Sequence, residues 1–129
     1  SMQDAPRYDD LISEIMAFLR DRTEDIINAG LPKEYIFIDP GIGFGKTYEN
    51  NIEIIKKLAD FRSLGFPILI GPSRKAFIGK ATGNLPAEDR LMGTAAAIAL
   101  SISNGTNIVR VHDVEQMKIT ARMADAIIR

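Results

Sequence analysis

The spacing of apolar and polar positions along the chain predicts four helices separated by three short strands. Apolar side chains recur at helical spacing in four segments, and Gly, Pro or Asn residues follow the first three. The helical segments run from Tyr8 to Asn28, from Asn50 or Asn51 to Phe61, from about Asp89 to Ser103 and from about Val114 to Ile128. Three compact runs between them, YIFID, FPILIG and TNIVRVHD, are rich in β-branched and aromatic residues and predict buried strands. The predicted order is αβαβαβα.

This alternation restricts the fold class. Strands that alternate with helices pair in parallel through right-handed crossovers. Two architectures satisfy the order: a small doubly wound sheet with helices on both faces, or a portion of a (β/α)₈ barrel with helices on one face. A complete barrel needs about 250 residues and eight strands, whereas this chain has 129 residues. A barrel interpretation therefore makes residues 1–129 a single partial domain, roughly the second half of a barrel.

Composition and charge exclude several classes of function. The 16 Lys and Arg side chains nearly balance the 17 Asp and Glu, so the formal net charge of -1 does not favour binding to nucleic acid or an anionic membrane. The chain has no cysteine, which excludes disulfides, zinc-thiolate sites and cysteine nucleophiles and fits a cytoplasmic location. No apolar run approaches the roughly 18 residues of a membrane span, and no signal-peptide pattern is present.

The segment DPGIGFGKT, residues 39–47, has the glycine-rich composition of a phosphate-binding loop. The Walker A pattern would require glycine at position 40, where Pro40 has no N–H to donate. The dinucleotide-binding pattern would require glycine at position 46, where Lys46 stands. Both patterns fail, which disfavours a P-loop nucleotide binder. Asp39 instead suits hydrogen bonding to the N–H edge of a neutral heterocycle, and the alternative is that it caps the following turn.

Polar side chains also end the other two predicted strands. Ser73, Arg74 and Lys75 follow the second strand, and Arg110 and His112 close the third. Ligands of parallel α/β folds bind at the carboxyl ends of the strands. All three strands therefore place polar residues at the ligand-binding end.

The period of two along a strand puts Ile108, Arg110 and His112 on one face and the intervening valines on the other, toward the helices. Arginine beside histidine suits the binding of a phosphate or pyrophosphate. The alternatives are an inter-strand salt bridge for Arg110 and a satisfied core histidine for His112. Burial of both side chains together without an anion or an acid would be costly, which favours the anion site.

Other conspicuous residues receive structural interpretations. Lys80 and residues 88–90, which end in Arg90, are interpreted as surface and helix-start charge. Met16, Met92, Met117 and Met123 lie at helical spacing and are predicted to be core residues.

Four stretches, in order, resemble the dihydropteroate synthase family of pterin-binding barrel enzymes: IFIDPGIGFGKTYENN, PILIGPSRKAFIG, DRLMGTAAA and NIVRVHDV. The N-terminal MQDAPRYDD is similar to the segment that follows the fifth strand in that family. The resemblance covers nearly the whole chain. It implies the C-terminal portion of a (β/α)₈ TIM barrel, from helix 5 to helix 8 with three parallel strands, without the N-terminal half.

The resemblance also implies a transferase of folate biosynthesis. In that family the amine of p-aminobenzoate displaces pyrophosphate from 6-hydroxymethyl-7,8-dihydropterin diphosphate, and Mg²⁺ assists the leaving group. Asp39 would hydrogen-bond the pterin and stabilise the electron-deficient intermediate, and Lys75 would bind the pterin from the neighbouring strand end. These two residues are the implied catalytic residues.

The remaining site residues follow from the same resemblance. Ser73 would receive the p-aminobenzoate carboxylate, with Arg74 nearby and Phe44 packed against the benzoate ring. Arg110 and His112 would hold the diphosphate. The family's metal ligand lies in the first strands, which have no counterpart here, so no metal ligand is predicted in this chain.

These implications lead to three expectations and two alternatives. We expect the chain alone to be inactive or nearly so, the parent to be a homodimer, and the open sheet edges to promote self-association. The first alternative is a pterin-binding methyltransferase domain that passes a methyl group from a folate to a cobalamin protein. The second is a non-catalytic half-barrel folding unit.

Overall fold

A computed structural model describes residues 10–43 and 45–129. Its α-helices are α1 (Leu11–Asn28), α2 (Tyr48–Lys56), α3 (Ala76–Ala81), α4 (Leu91–Ser103) and α5 (Val114–Ile128). Its β-strands are β1 (Leu69–Ile70) and β2 (Ile108–Val109), and 3₁₀ turns occupy Lys33–Tyr35, Leu58–Leu64 and Ala87–Asp89. The predicted alternation of helical and extended segments is confirmed, with α3 as an addition.

The sheet is parallel and short. β1 pairs with β2, with Leu69 opposite Ile108. A third extended segment joins β1 through a single parallel bridge between Ile38 and Ile68. The Leu69 N–H donates to the Ile38 carbonyl at 2.8 Å. The prediction of a full strand over YIFID is wrong in extent, because a 3₁₀ turn occupies its first residue and a proline, which cannot donate to a ladder, follows its last.

The core lies between the sheet and the helices on one of its faces. Its larger cluster draws buried side chains from α1, the extended segments and the loop after the first of them, α2, the 3₁₀ turn Leu58–Leu64 and α3: Leu11, Ile12, Leu19, Ile38, Ile42, Ile54, Ile55, Leu58, Phe61, Ile68, Ile70, Phe77 and Ile78. A second cluster joins α4 to α5, and Val109 and Val111 pack against it. Ile108, Arg110 and His112 are exposed on the opposite face. The predicted alternation along the third strand is therefore confirmed.

The second predicted helix is shorter than expected: α2 ends at Lys56, and Leu58 and Phe61 lie in the 3₁₀ turn that follows. Two more local features differ from the predictions. Thr47, and neither Asn50 nor Asn51, is the N-cap of α2: its hydroxyl accepts from the Asn50 N–H, and the Asn50 side chain accepts from the Thr47 N–H, both at 3.0 Å. This reciprocal pair is a capping box. The other feature is α3, which lies inside the segment predicted as an irregular polar loop. Its burial of Phe77 and Ile78 explains why so short a helix forms there.

The outer faces of α4 and α5 carry exposed apolar side chains. Met92 is 80% and Met123 61% exposed, so their predicted place in the core is wrong. Helical spacing alone fails here because α4 and α5 are apolar on more than one face. Among the described residues, no helix combines the length and the apolar character needed to cross a membrane.

Candidate active site

Asp39 lies at the carboxyl end of the first extended segment, with an exposed side chain. Its Oδ1 accepts a hydrogen bond from the Gly41 N–H at 2.8 Å. The turn-capping role considered from the sequence is therefore present. The other carboxylate oxygen makes no hydrogen bond to any described residue, so the same side chain can cap the turn and still accept from a ligand.

Lys75 connects the end of β1 to the loop that follows Asp39. Its Nζ donates to the Ile42 carbonyl at 2.6 Å. A Cβ at Gly43 would lie 3.0 Å from the Lys75 Cδ, and Gly43 has a φ of 109°, so only glycine fits this close approach without strain. The glycine-rich composition of the loop thus serves to let a lysine lie across its backbone.

The electrostatic surroundings of Lys75 place several candidate residues near one another. Partial burial lowers the pKa of Lys75, and the positive charge of Arg110 lowers it further. The negative charge of Asp39 opposes this by raising the Lys75 pKa, whereas Lys46 lowers it. Asp39, Lys75 and Arg110 come from three different extended segments, so the structure brings the three strand ends into one electrostatic cluster.

Ser73 and His112 join the ends of β1 and β2 directly. The Ser73 Oγ lies 2.7 Å from the His112 Nδ1 and accepts from the His112 backbone N–H at 3.1 Å. Ser73 is only 5% exposed. Its implied role in binding a carboxylate stays a prediction, because in this structure the hydroxyl is used by His112.

Arg74 adopts an unusual backbone conformation. Its φ is 57°, in the left-handed region, which costs a residue other than glycine about 1–3 kcal/mol. Its guanidinium forms two hydrogen bonds with the Asp113 carboxylate, from Nε at 3.1 Å and from Nη2 at 2.6 Å. The hydrogen bond from Arg74 lowers the pKa of Asp113, and the same bond raises the pKa of Arg74. Arg74 is thus engaged within the protein.

Arg90 and Thr94 hold the Arg74 backbone in this conformation. The Thr94 hydroxyl accepts from the Arg74 N–H at 3.1 Å, and the Arg90 Nη1 donates to the Arg74 carbonyl at 2.8 Å. Arg90 also donates through Nε to the Leu85 carbonyl at 2.9 Å. A Cβ at Gly79 would lie 2.6 Å from the Arg90 Nε, so the guanidinium needs a glycine beneath it. Arg90 directly precedes α4 and is partly exposed, as the interpretation of helix-start charge expected, but its guanidinium is engaged in contacts within the protein. In the sequence, Arg90 and Thr94 stood out only as part of DRLMGTAAA, one of the four stretches that carry the family resemblance.

Arg110 and His112 lie on the exposed face, so the assumption that they are buried side by side is wrong. Arg110 packs over Gly71, where a Cβ would lie 3.2 Å from the arginine Nε. Within residues 10–43 and 45–129, Arg110 has no carboxylate within salt-bridge distance. The salt-bridge and core-histidine alternatives are thus not observed in this part of the chain, and both side chains are accessible to a ligand.

A cleft of about 580 Å³ adjoins Lys75. Its walls include Gly43, Lys46, Lys75 and Tyr48, and the Lys80 Nζ lies 4.7 Å from the centre of the Tyr48 ring. This volume lies in the range of small-molecule sites. Phe44, the predicted contact of a benzoate ring, lies outside the described residues.

A Mg²⁺ site needs several oxygen donors close together. The described residues contain no group of three or more His, Cys, Asp or Glu side chains that could hold a metal ion. Asp39 accepts from a backbone N–H, and Asp113 is paired with Arg74. These side chains do not form a Mg²⁺ site by themselves.

The parallel α/β fold with polar side chains at its carboxyl strand ends defines a ligand-binding α/β enzyme domain. Residues 1–112 match the family model described as pterin binding enzyme. The chain belongs to the pterin-binding enzyme family.

Individual relatives agree with this assignment. Dihydropteroate synthase of Synechocystis sp. is 43% identical over 129 residues, which are 100% of this chain and 45% of the relative. Among solved structures, dihydropteroate synthase of Xanthomonas albilineans with 4-aminobenzoic acid aligns with a TM-score of 0.91 and 39% identity, over 96% of this chain and 45% of that chain. The enzyme of Thermus thermophilus in complex with 6HMPPP aligns with a TM-score of 0.88 and 35% identity, over 94% of this chain and 47% of that chain.

The chain therefore spans about half the length of the curated relatives it matches. Its fold is that of a portion of a (β/α)₈ barrel, which confirms the predicted fold class.

Proposed function

We propose that the chain supplies one part of the active site of a dihydropteroate synthase. The observation that carries this proposal is the arrangement of Asp39, Lys75, Arg110 and His112 at one end of three parallel segments, an acid facing a group of cationic and imidazole side chains. The named relatives support it, since solved dihydropteroate synthases carry 4-aminobenzoic acid or 7,8-dihydropteroate.

The charge distribution suits the reaction. When the C–O bond of the pterin diphosphate breaks, positive charge builds on the pterin methylene and negative charge on the departing pyrophosphate. Asp39 would stabilise the first, and Arg110 with His112 the second. The amine nitrogen of p-aminobenzoate then forms the new C–N bond and loses a proton to solvent.

The cleft beside Lys75 is the proposed place of the p-aminobenzoate ring. The ammonium groups of Lys46, Lys75 and Lys80 line it and would favour a carboxylate, and Tyr48 provides an aromatic wall. Phe44 is proposed to pack on the same ring, and Ser73 and Arg74 to lie near its carboxylate. The magnesium ligand is proposed to lie in the remainder of the parent enzyme.

We also propose that the 129-residue chain has little or no turnover by itself. The support is its length, about 45% of its relatives. Turnover of both substrates by the purified chain at a rate near that of a full-length relative would contradict this. We propose a cytoplasmic location for the parent enzyme, supported by a chain without cysteine.

Self-association is a further part of the proposal. On the open face of the sheet, Phe37 is 53% and Ile108 37% exposed, and strand edges that can pair with a second copy are adjacent. We propose a homo-oligomer on this basis, with a homodimeric parent. Light scattering that finds a stable monomer at high concentration would contradict the oligomer.

Calorimetric titration of the chain with pyrophosphate tests the anion-binding half of the site. We expect binding that Arg110→Ala weakens about ten-fold or more, because a charge-assisted hydrogen bond contributes about 1.5–3 kcal/mol. Arg62→Ala is the matched control, since Arg62 lies against Gly105 at the opposite end of β2.

The outcomes of this titration separate the function classes. Equal pyrophosphate affinity of the Arg110→Ala variant and the unmodified chain would contradict the assignment of the diphosphate site. Absence of pyrophosphate binding together with retained pterin binding would favour the pterin-dependent methyltransferase, which has no diphosphate to hold.

A further inference from the structure

The hydrogen bonds of Ser73 carry information about the proton on His112. A serine hydroxyl has one hydrogen to donate and accepts through its lone pairs. The Ser73 Oγ already accepts the backbone N–H of His112 at 3.1 Å. Ser73 is only 5% exposed, so a hydroxyl hydrogen left without an acceptor there would lower stability.

One acceptor is in reach among the described residues. The His112 Nδ1 lies 2.7 Å from the Ser73 Oγ, and that oxygen forms no hydrogen bond with a carbonyl or carboxylate of the described residues. If Nδ1 carried the imidazole proton, the backbone N–H and the Nδ1–H of His112 would both donate to the Ser73 Oγ. The hydroxyl hydrogen of Ser73 would then have no acceptor among the described residues. A buried polar hydrogen without a partner is costly. This geometry favours donation from the Ser73 hydroxyl to Nδ1, which would put the ring proton of a neutral imidazole on Nε2.

We propose that Ser73 is a positioning residue that holds His112 in its Nε2–H tautomer, with Nε2 presented as a donor to phosphate oxygens. The donor role of Nε2 rests on the proposed function, in which His112 binds a diphosphate. Ser73 is hydrogen-bonded to both the backbone and the ring of His112, so these two bonds would fix the orientation of the ring as well as its tautomer. His112 itself is exposed and Arg110 lies two residues earlier on the same face, so both donors are accessible to one anion.

The tautomer can be read directly, because His112 is the single histidine of the chain. Nitrogen-15 NMR at about pH 9, well above the ordinary imidazole pKa of about 6.5, reports which ring nitrogen carries the proton. We expect a protonated-type shift at Nε2 and an unprotonated-type shift at Nδ1. In Ser73→Ala we expect a measurable fraction of the Nδ1–H form and a Nδ1 shift typical of a solvated nitrogen.

Ser101→Ala is the matched control. Ser101 is fully buried, and its Oγ has no hydrogen-bond partner among the described residues, so the same substitution there should leave the His112 spectrum unchanged. A Nδ1–H tautomer in the unmodified chain would overturn the proposal. So would an identical ring spectrum in the unmodified chain and in Ser73→Ala.

Pyrophosphate as the probe tests the donor role separately. It should shift the Nε2–H resonance of the unmodified chain, and Ser73→Ala should bind it about five-fold more weakly, as expected for loss of about 1 kcal/mol of directed hydrogen bonding. An Nε2–H resonance that pyrophosphate leaves unmoved would overturn the donor role and the anion half of the proposed function together. The spectrum without ligand decides the tautomer independently of that result.

Discussion

Two segments flank the candidate site, and they are held in different ways. The loop at residues 39–47 is held largely by residues near it in sequence: Asp39 accepts from an N–H two residues later, and Asn51 from the N–H of Gly43, eight residues earlier. The turn at residues 73–75 is held by residues far away. Arg74 is bound by Thr94, 20 residues later, and by Asp113, 39 residues later.

The two segments therefore depend on different parts of the chain for their shape. A locally held loop takes its shape largely from its own sequence and from the helix that follows it. The turn is fixed to α4 through Thr94 and to the start of α5 through Asp113, so its position depends on how these two helices pack on the sheet. The bond from the Lys75 Nζ to the Ile42 carbonyl is the direct link between the two segments.

The largest expected effect comes from filling the space beneath Arg90. Gly79→Val would put a Cβ within 2.7 Å of the Leu85 carbonyl and of the Arg90 guanidinium, so one of them must move. We expect a loss of about 3 kcal/mol in the free energy of unfolding, since overpacking forces backbone shifts. Urea denaturation measures it.

The control for this change is Ala81→Val, which adds a valine to an exposed position of the same helix. It should cost much less than Gly79→Val. Helix propensity favours Gly79→Val and disfavours Ala81→Val. Equal destabilisation by the two variants would therefore contradict a close fit between Gly79 and Arg90.

The second prediction concerns the hydroxyl that holds the left-handed turn. Thr94→Val keeps the shape of a fully buried side chain but removes the acceptor of the Arg74 N–H. We expect a loss of about 2 kcal/mol in urea denaturation, because a partly buried N–H is left without a partner. Thr94→Ser keeps the hydroxyl and should retain the Arg74 amide resonance position in NMR spectra, which the valine variant should shift. Retention of that resonance in both variants would contradict the role of Thr94.

A smaller effect is expected for the locally held loop. Asn51→Ala removes the oxygen that accepts from the Gly43 N–H at 2.8 Å. Gly43 is only partly buried, so water can replace part of the lost bond, and we expect about 1 kcal/mol of destabilisation. Amide shifts should change in the loop and not in the turn at residues 73–75. Glu49→Ala, at an exposed position of the same helix, is the control, and changes spreading to the Arg74 amide would show that the two segments are not separately held.

The smallest effect is the pH dependence of the bond between Arg74 and Asp113. The pKa of Asp113 is lowered from its ordinary value of 3.8, so the folded state binds fewer protons than the unfolded state in that range. The stabilisation is therefore present above pH 3.8 and is lost as the pH falls through the lower, folded-state pKa. The stability difference between the unmodified chain and Asp113→Asn should shrink below pH 3.8. A difference that is constant with pH would contradict a charged Asp113 partner.

Periodicity in the sequence predicted most of the fold, because helical and strand spacings are local properties. The bounds of α5 agree with the predicted segment, and the alternation of Val109 and Val111 with Arg110 is as predicted. Predictions from local spacing were wrong where the same spacing fits both a buried and an exposed position, or both a helix and a loop. Met92 has the spacing of a core residue and is exposed, and α3 forms in a segment whose polar residues predicted a loop.

The sequence by itself determined which side chains end each strand, and hence that Asp39, Lys75, Arg110 and His112 share one end of a parallel sheet. It could not determine what those side chains contact. The bond of Ser73 to His112 and the ties of Arg74 to Thr94 and Asp113 join residues 20 to 39 positions apart. Their partners are chosen by the packing of α4 and α5 on the sheet, since no spacing rule relates residues so far apart, and only the tertiary structure decided them.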